Sequence, residues 1–491
     1  MPFVDANSQL QPLLFQMSQY KNLTKSTIEV LPSSGQGEYG PNQKIIFTLP
    51  YASTISLEDL ALRFTFTPKN MMTFTKSNIT APMEVVVAPK DVASLISEID
   101  IKINGQTIQH LTRYNDIVNL LGYFEEPKTA LQVLQNCKSN TDELFTFKVP
   151  AASGTFVAST KTINKDTVAQ SQNFIINKWY GLLGHRGDEV SSNFIDTNML
   201  GEVTIAFTLS PASVCPSAIV KTEGDVNAIL TAATPTGGGA SAPTITSTEL
   251  AAKLASRNTS YGLTDVKLSM VRYNLPMSYN EALASNLSNG AKYQIAFNHY
   301  NIHSQNALED GGSIRWNENS RDIRGLIAFF TDNSRTSQNL PMEYDADVLT
   351  STYFKYDNPI HKDSQFQIGS VKMPQNKLNN EELFLELVRG LPGVRGQNTE
   401  FSKNIKSIPD WLTRCFMAYL SLEMSEGMTD VANGGKKLLS GLSSEQLPIS
   451  CVYEYNNIGA SGYAWNKSVN VMSLTTRLLV IESGQNCYIE I

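Results

Sequence analysis

The stretch SEIDIKINGQTIQHLTRYNDIVNLLGYF, Ser97 to Phe124, changes its hydrophobic period halfway along. Ile99, Ile101 and Ile103 alternate with Asp100 and Lys102, the period of two that a half-buried strand requires. Asn104-Gly105 then supplies two residues that tolerate positive φ, which suits a tight turn. Beyond it, Leu111, Tyr114, Ile117, Val118 and Leu121 fall three and four apart, one apolar face of a helix. A strand, a turn and a short helix in such close succession demand a sheet for the strand to join and a flank for the helix to cover.

The unit recurs. FQIGSVKMPQNKLNNEELFLELVRGL, Phe366 to Leu391, holds a strand with Phe366 and Ile368, a break at Gly369, and a second short run with Val371 and Met373. The following helix has Asn380 as its expected cap and Glu381 and Glu382 in its first turn. Leu383, Leu387 and Val388 share a face, and Gly390 is its stop. A long alternating strand closes each half: Val203 to Leu209 in the first, Leu474 to Ile481 in the second. With 491 residues, the chain is too long for one ordinary core. Two similar β-domains in tandem explain the repeat better than one large fold.

Strand signals dominate elsewhere. The first is KIIFTLP, Lys44 to Pro50. In LALRFTFTP, Leu60, Leu62, Phe64 and Phe66 point one way while Ala61, Arg63 and Thr65 point the other. GEVTIAFTLSP repeats this with Val203, Ile205, Phe207 and Leu209, and Pro211 ends the run. One apolar face and one polar face is the pattern of antiparallel sheets in a sandwich. From Pro216 to Ser260 the character changes. ATPTGGGASAPT, Ala233 to Thr244, reads as a mobile loop. TSTELAAKLAS reads as a short helix with the capping-box spacing Thr246 to Glu249. Strands return with LTDVKLSMVRYNLP (Leu263 to Pro276), KYQIAFNHYNIH (Lys292 to His303) and IRGLIAFF (Ile323 to Phe330). The final run looks like a hairpin around Ser483-Gly484. The expected division is an N-terminal arm at 1–25, a first β-domain at 26–215, a linker and exposed loop at 216–260, and a second β-domain at 261–491.

Composition narrows the function classes. The chain is 41% hydrophobic and 17% charged, with a net charge of −7. A low-charge surface fits a protein that buries much of itself against neighbours. Direct binding to a nucleic-acid backbone needs clustered Lys and Arg, and the first 40 residues carry only Lys21 and Lys25 as cations. Cys137, Cys215, Cys415, Cys451 and Cys487 are odd in number, far apart and free of CxxC spacing. They argue against a disulfide framework or zinc knuckle and for a reducing compartment. The N-terminus lacks a basic region followed by a long apolar core, so no signal peptide is expected, and LIAFF falls far short of a membrane span.

Motifs with chemical potential each meet a simpler reading. His299 and His303 have the i, i+4 spacing of metal ligands on a helix, but Tyr293, Ile295 and Phe297 alternate as a strand, so ordinary strand-end histidines are expected. Arg186-Gly187-Asp188 is an adhesion tripeptide and equally a charged turn. VANGGKKLLS hints at a phosphate loop, but Asp430 and Lys437 stand where glycine and Ser/Thr belong, so it reads as a surface loop. Glu125-Glu126 and Glu381-Glu382 sit at helix ends, where solvation or the helix dipole explains them. Sequons such as Asn22 and Asn258 mean little without secretion, and no GxSxG or GxGxxG occurs. No catalytic, cofactor or metal residues are assigned. The N-terminal QLQPLLFQMSQY places Leu10, Leu13, Leu14 and Met17 on one helical face, with Pro12 near the helix start. Such an arm either docks on its own domain or packs on a neighbour or an inner layer.

Taken in order, the IDIKINGQTIQ…YNDIVNLL unit, FIDTNMLGEVTIAFTLSP closing the first half and LTDVKLSMVRYNLP opening the second resemble a known family. It is that of the double jelly-roll major capsid proteins of tailless double-stranded DNA viruses: phages, virophages and Polinton-like viruses. The resemblance covers about residues 26 to 491, as an ordered pattern without an invariant motif. It implies an all-β fold of two tandem eight-stranded jelly-roll sandwiches with short helices in the connections. It implies a homotrimer forming a pseudo-hexagonal tile of an icosahedral virion shell around a DNA genome. The helix after each strand pair would fill the flank where neighbouring jelly rolls meet. Loops near Ser241 would form outer turrets. The arm would touch adjacent capsomers, penton or minor capsid proteins, or an internal membrane. Assembly would take place in the reducing interior of a host cell. The family brings no catalytic residues, no cofactor and no sequence-specific nucleic-acid binding. The alternative is a two-domain β-sandwich that binds carbohydrate or a receptor as a spike. A carbohydrate binder would favour exposed tryptophans, and only the scattered Trp179, Trp316, Trp411 and Trp465 occur.

Overall fold

The computed structural model describes residues 24–122, 157–162, 171–184, 194–274, 277–336, 352–390, 408–422, 429–437 and 441–490, with short breaks inside several of these stretches. Its first half is a sandwich of two antiparallel sheets. The strands in chain order are β1 (Thr24–Val30), β2 (Lys44–Thr48), β3 (Thr54–Lys69), β4 (Ile96–Ile103), β5 (Gln106–Leu111), β6 (Gln172–Ile176), β7 (Phe194–Asp196), β8 (Val203–Leu209) and β9 (Ser260–Asn274). One sheet runs β1-β9-β3, with β6 and β7 both on the far edge of β3. The other runs β2-β8-β4-β5. Counting β6 and β7 as one interrupted strand gives eight positions and a jelly roll. Leu60, Leu62, Phe64 and Phe66 of β3 face inward against Phe174 and Tyr261, and Phe47 of β2 meets Phe207 of β8 edge-on at 6.0 Å. Each such side chain contributes about 1.5–3 kcal/mol by leaving water.

The second half repeats the plan. Its strands are β10 (Tyr293–Asn306), β11 (Gly311–Glu318), β12 (Asp322–Asp332), β13 (His361–Ile368), β14 (Val371–Leu378), β15 (Met417–Ser421), β16 (Ile449–Asn457) and β17 (Lys467–Ile481). They form the sheets β10-β17-β12-β15 and β11-β16-β13-β14, the same order position for position. The terminal hairpin is present: β18 (Cys487–Glu490) turns back onto β17. The repeated unit holds as well. The β4–β5 turn is Asn104-Gly105, at φ 49° and 80°, and the β13–β14 turn passes through Gly369 at φ 60°. Each is followed by a helix, α1 (Tyr114–Gly122) in the first half. In the second half, α5 is Asn380–Gly390, after α2 (Glu223–Ala233), α3 (Ser247–Ala255) and α4 (Met277–Ser288) in the intervening chain.

Five sequence expectations are corrected. The run Leu263–Pro276 does not open the second half. Its described part, up to Asn274, lies in β9, the central strand of the first sandwich, paired with β1 on one side and β3 on the other. The true counterpart of β17 is therefore β9, both 15 residues long, and Val203–Leu209 corresponds to β16. Consequently 216–260 is no linker between domains. It is a connection inside the first sandwich, folded onto the β3–β4 connection. Residues 217–219 pair with 84–86, Lys76 bridges to Glu249 at 3.1 Å, and the buried Glu84 takes Arg257 at 2.6 Å and the Thr259 hydroxyl. The expected α3 and its Thr246/Glu249 capping box are present, and Ser241 lies outside the described residues. The chain enters the sheet at Thr24, well before Lys44, because β1 is a largely exposed edge strand with too little apolar alternation to read as one. Lastly, Asn379 and not Asn380 caps α5: its Oδ1 accepts from Glu382 N, while Glu382 Oε2 accepts from Asn379 N.

The pairings fix a polarity. Thr24, Thr54, the Ile103–Gln106 turn, Val203 and Asn274 lie together at one end of the first sandwich, and Lys69, Ile96, Leu111, Leu209 and Ser260 at the other. In the second, Tyr293, the Ile368–Val371 turn, Ile449 and Ile481 share one end. α4 connects the two ends at Asn274 and Tyr293.

Candidate functional site: the junction between the two sandwiches

The side chains that meet between the halves come from edge strand β5, the chain after it, and edge strand β10. Starting at the α4 end, Gln109 Nε2 of β5 donates to Asn298 O of β10 at 3.1 Å and faces Nδ1 of His299 at 3.4 Å. Its Oε1 accepts from Leu182 N at 2.7 Å. This close approach explains Gly181: at φ 84°, a Cβ there would sit 2.5 Å from Gln109 Oε1. Higher up, Tyr180 meets Tyr300 edge-on at 6.0 Å. Higher again, Arg113 reaches Ser304 of β10 and Asn470 of β17 and lies over the Phe329 ring. These contacts climb β5 and β10 in the same direction, so the two sandwiches stand side by side with the same end down.

At the top of the junction sits Asp116, in the first turn of α1 and 1% exposed. Arg113 Nε donates to it at 2.7 Å from the same half. From the other half, Arg335 donates through both terminal nitrogens, at 3.0 and 3.1 Å, and the Tyr356 hydroxyl donates at 2.8 Å. The fork geometry of Arg335 matches a carboxylate, and its guanidinium stacks on Tyr353 at 4.4 Å. Burial would raise the Asp116 carboxyl, but the charges of Arg113 and Arg335 and the bonds from Arg335 and Tyr356 hold it far below the usual carboxylate range. Burial also pushes His299 down, to about 3, helped by the charges of Arg477 and His110, so it is a neutral imidazole at this contact. The arrangement is a docking lock. It holds two rigid sandwiches in one register and orientation.

Of the residues singled out in the sequence, His299 is the one the structure brings to the junction. Leu10, Leu13, Leu14, Met17, Arg186–Asp188 and Glu125-Glu126 lie outside the described residues. His299 and His303 lie on β10, where four residues of strand span about 13 Å, too far for one ion. The stretch around VANGGKKLLS is bounded by a minimal hairpin pairing Thr429 with Lys437. Trp179, Trp316 and Trp411 are buried, so they offer no stacking platform to a sugar. Cys215, Cys415, Cys451 and Cys487 are buried. Only the single carboxylate of α1, on a helix whose other face is apolar, hints at the lock in the sequence.

Two jelly rolls in tandem, matching strand for strand and standing parallel, define the double jelly roll. It is the fold of the double jelly-roll major capsid proteins. No family model matches the sequence, and no curated protein matches it. Solved structures do. VP54 of PBCV-1, fitted into a reconstruction of the virophage Sputnik, superposes with a TM-score of 0.55 at 11% identity over 97% of this chain and 99% of that one. The Faustovirus major capsid protein gives 0.51 at 8% identity, over 96% and 93%. A chain of the Sputnik virophage structure gives 0.50 at 11%, over 97% and 90%.

Proposed function

We propose that this chain is the major capsid protein of a tailless double-stranded DNA virus, a structural protein without enzymatic activity. The observation that carries the reading is the pair of upright, parallel jelly rolls locked through Asp116, matched nearly end to end by solved chains that include a major capsid protein. A two-sandwich block of fixed register is a third of a six-sided tile. Three copies close it through head-to-tail contacts, and the tiles pave an icosahedral shell around the genome. Neighbouring capsomers, penton and minor capsid proteins, and any internal membrane are the partners. The arm bearing Leu10, Leu13, Leu14 and Met17 is the element that contacts them, and the virion is where the protein resides.

The mass of the purified protein tests this. A species of three times 54.1 kDa, seen as six-sided tiles by negative-stain microscopy, is expected. A monomer at micromolar concentration would refute it.

A further inference from the structure

The two ends of the junction are held by different chemistry. At the top, Asp116 stays ionised in mild acid, because against burial the charges of Arg113 and Arg335 hold its carboxyl far below the usual range. At the foot, beside α4, the tie is one amide and one imidazole. Gln109 cannot turn over: its Oε1 accepts from Leu182 N at 2.7 Å and its Nε2 donates to Asn298 O at 3.1 Å. Exchanging its two ends would set the NH2 against the Leu182 N–H and the oxygen against the Asn298 oxygen. A fixed N–H donor therefore faces Nδ1 of His299 at 3.4 Å, and Nδ1 must keep its lone pair. An imidazolium carries a proton there and cannot sit against that amide. Among the described residues, the charges that bear on His299 are cations: Arg477 of β17 and, in acid, His110 of β5. Arg324 of β12 donates to Asn298 Oδ1 at 3.2 Å, and Lys178 lies over the Tyr180 ring. Burial keeps the phenol of Tyr180, packed on Tyr300, neutral. The nearby carboxylates are engaged elsewhere: Asp100 of β4 by His110 and by Lys44 of β2, and Glu318 of β11 by His303 at 3.6 Å.

We propose that the foot of the junction is an acid-sensitive hinge: protonation of His299 separates β5 from β10 beside α4, while the Asp116 lock holds at the top and each sandwich stays folded. The device belongs to the single chain and does not depend on the assembly reading above. Its sign follows from the imidazole. In the open foot His299 regains the usual 6.5, whereas in the closed one burial, then the charges of Arg477 and His110, hold it at about 3. Each pH unit below 6.5 therefore favours the open foot by roughly tenfold, down to about pH 3. Asp116 supplies the pivot, since its ion pairs outlast the acid that opens the foot. α4 joins the sandwiches at the foot itself, so its length limits how far they swing apart.

Hydrogen exchange on the full chain, corrected for the pH dependence of intrinsic exchange, tests this. The Leu182 amide is the reporter, because Leu182 is buried and its N–H is bonded to the Gln109 side chain that spans the junction. Its protection should fall roughly hundredfold from pH 8 to pH 4.5. The amides of Asp116 and Ile117 beside the lock, and those pairing β9 with β3, should keep theirs. In His299→Gln a neutral acceptor replaces the imidazole, and Leu182 should be equally protected at both pH values. Protection of Leu182 that ignores pH in the parent, or that falls as far in His299→Gln, overturns the proposal. So does a parallel loss at Asp116 and in β9, which is unfolding and not hinging. If the variant does not fold, the slope in the parent decides. A fall of roughly tenfold per pH unit below 6.5 is the uptake of one proton, and a steeper slope refutes the assignment to His299.

Discussion

Asp116 is the residue on which the junction turns. Replacing it by Asn keeps the shape but removes the charge that balances Arg113 and Arg335, which would then face each other in a buried site. Loss of one partner of a buried pair costs about 3–5 kcal/mol. Asp116→Asn should therefore lower the denaturation midpoint sharply, and an unchanged midpoint would refute the lock. His299 adds a pH dependence of definite sign. Its folded pKa, about 3, lies below the usual 6.5. As pH falls below 6.5 the unfolded chain takes up a proton that the folded chain refuses, so stability is lost from there down to about pH 3. His299→Gln should recover about 1–3 kcal/mol of that loss at pH 4.5 and little at pH 8, as read from denaturation at the two pH values. Asn104-Gly105 was legible in the sequence because positive φ is a local demand. Asp116 was not, because its partners Arg335 and Tyr356 lie 219 and 240 residues away.

At the scale of elements, alternation reveals that a strand exists but not which strand it joins. That is why Ser260–Asn274 was legible as a strand yet assigned to the wrong sandwich. The Gly/Pro/Ser-rich stretch before it has the composition of a loop, and composition does not say whether both ends of a loop return to the same domain. α4 escaped notice because MSYNEALASNLS has no clear apolar stripe. The cap of α5 shows the same limit at finer grain, since two adjacent asparagines compete and only one can occupy the position. Asn379→Ala should destabilise the first turn of α5 by about 1 kcal/mol. Hydrogen exchange at its first amides should speed up accordingly, while Asn380→Ala should instead disturb the bond to His361. Equal protection in the Asn379 variant and the parent would refute the capping assignment.

For the whole molecule, polarity bears on the proposed role of the arm. β1 begins at Thr24, at the same end as the Asn104-Gly105 turn and the start of α4, so the preceding residues leave from that end. Deleting residues 1–20 spares every strand among the described residues. We expect the truncated chain to fold and form trimers but to yield fewer shells by electron microscopy. A lower melting temperature of the trimer would place the arm on its own sandwich instead. The repeat of the strand–turn–helix unit was enough to foresee two similar β-domains in tandem, and the family resemblance supplied the jelly roll. Their parallel stance was not, because it is fixed by contacts between residues far apart in the chain.

The α4 connection has a kinetic meaning. A short tether holds each sandwich at an effective concentration on the order of millimolar at its mate, so a junction of modest intrinsic affinity stays closed. A chain cut between Asn274 and Met277 loses only that tether, because each fragment keeps its full set of strands. The two pieces should co-purify when mixed and fall apart on dilution. A cut at 260 instead removes β9 and strips β1 and β3 of their shared partner, so the first piece should fail to fold at any concentration. The divide in this molecule is thus measurable as a place where the backbone can be opened and the loss made good by adding more protein.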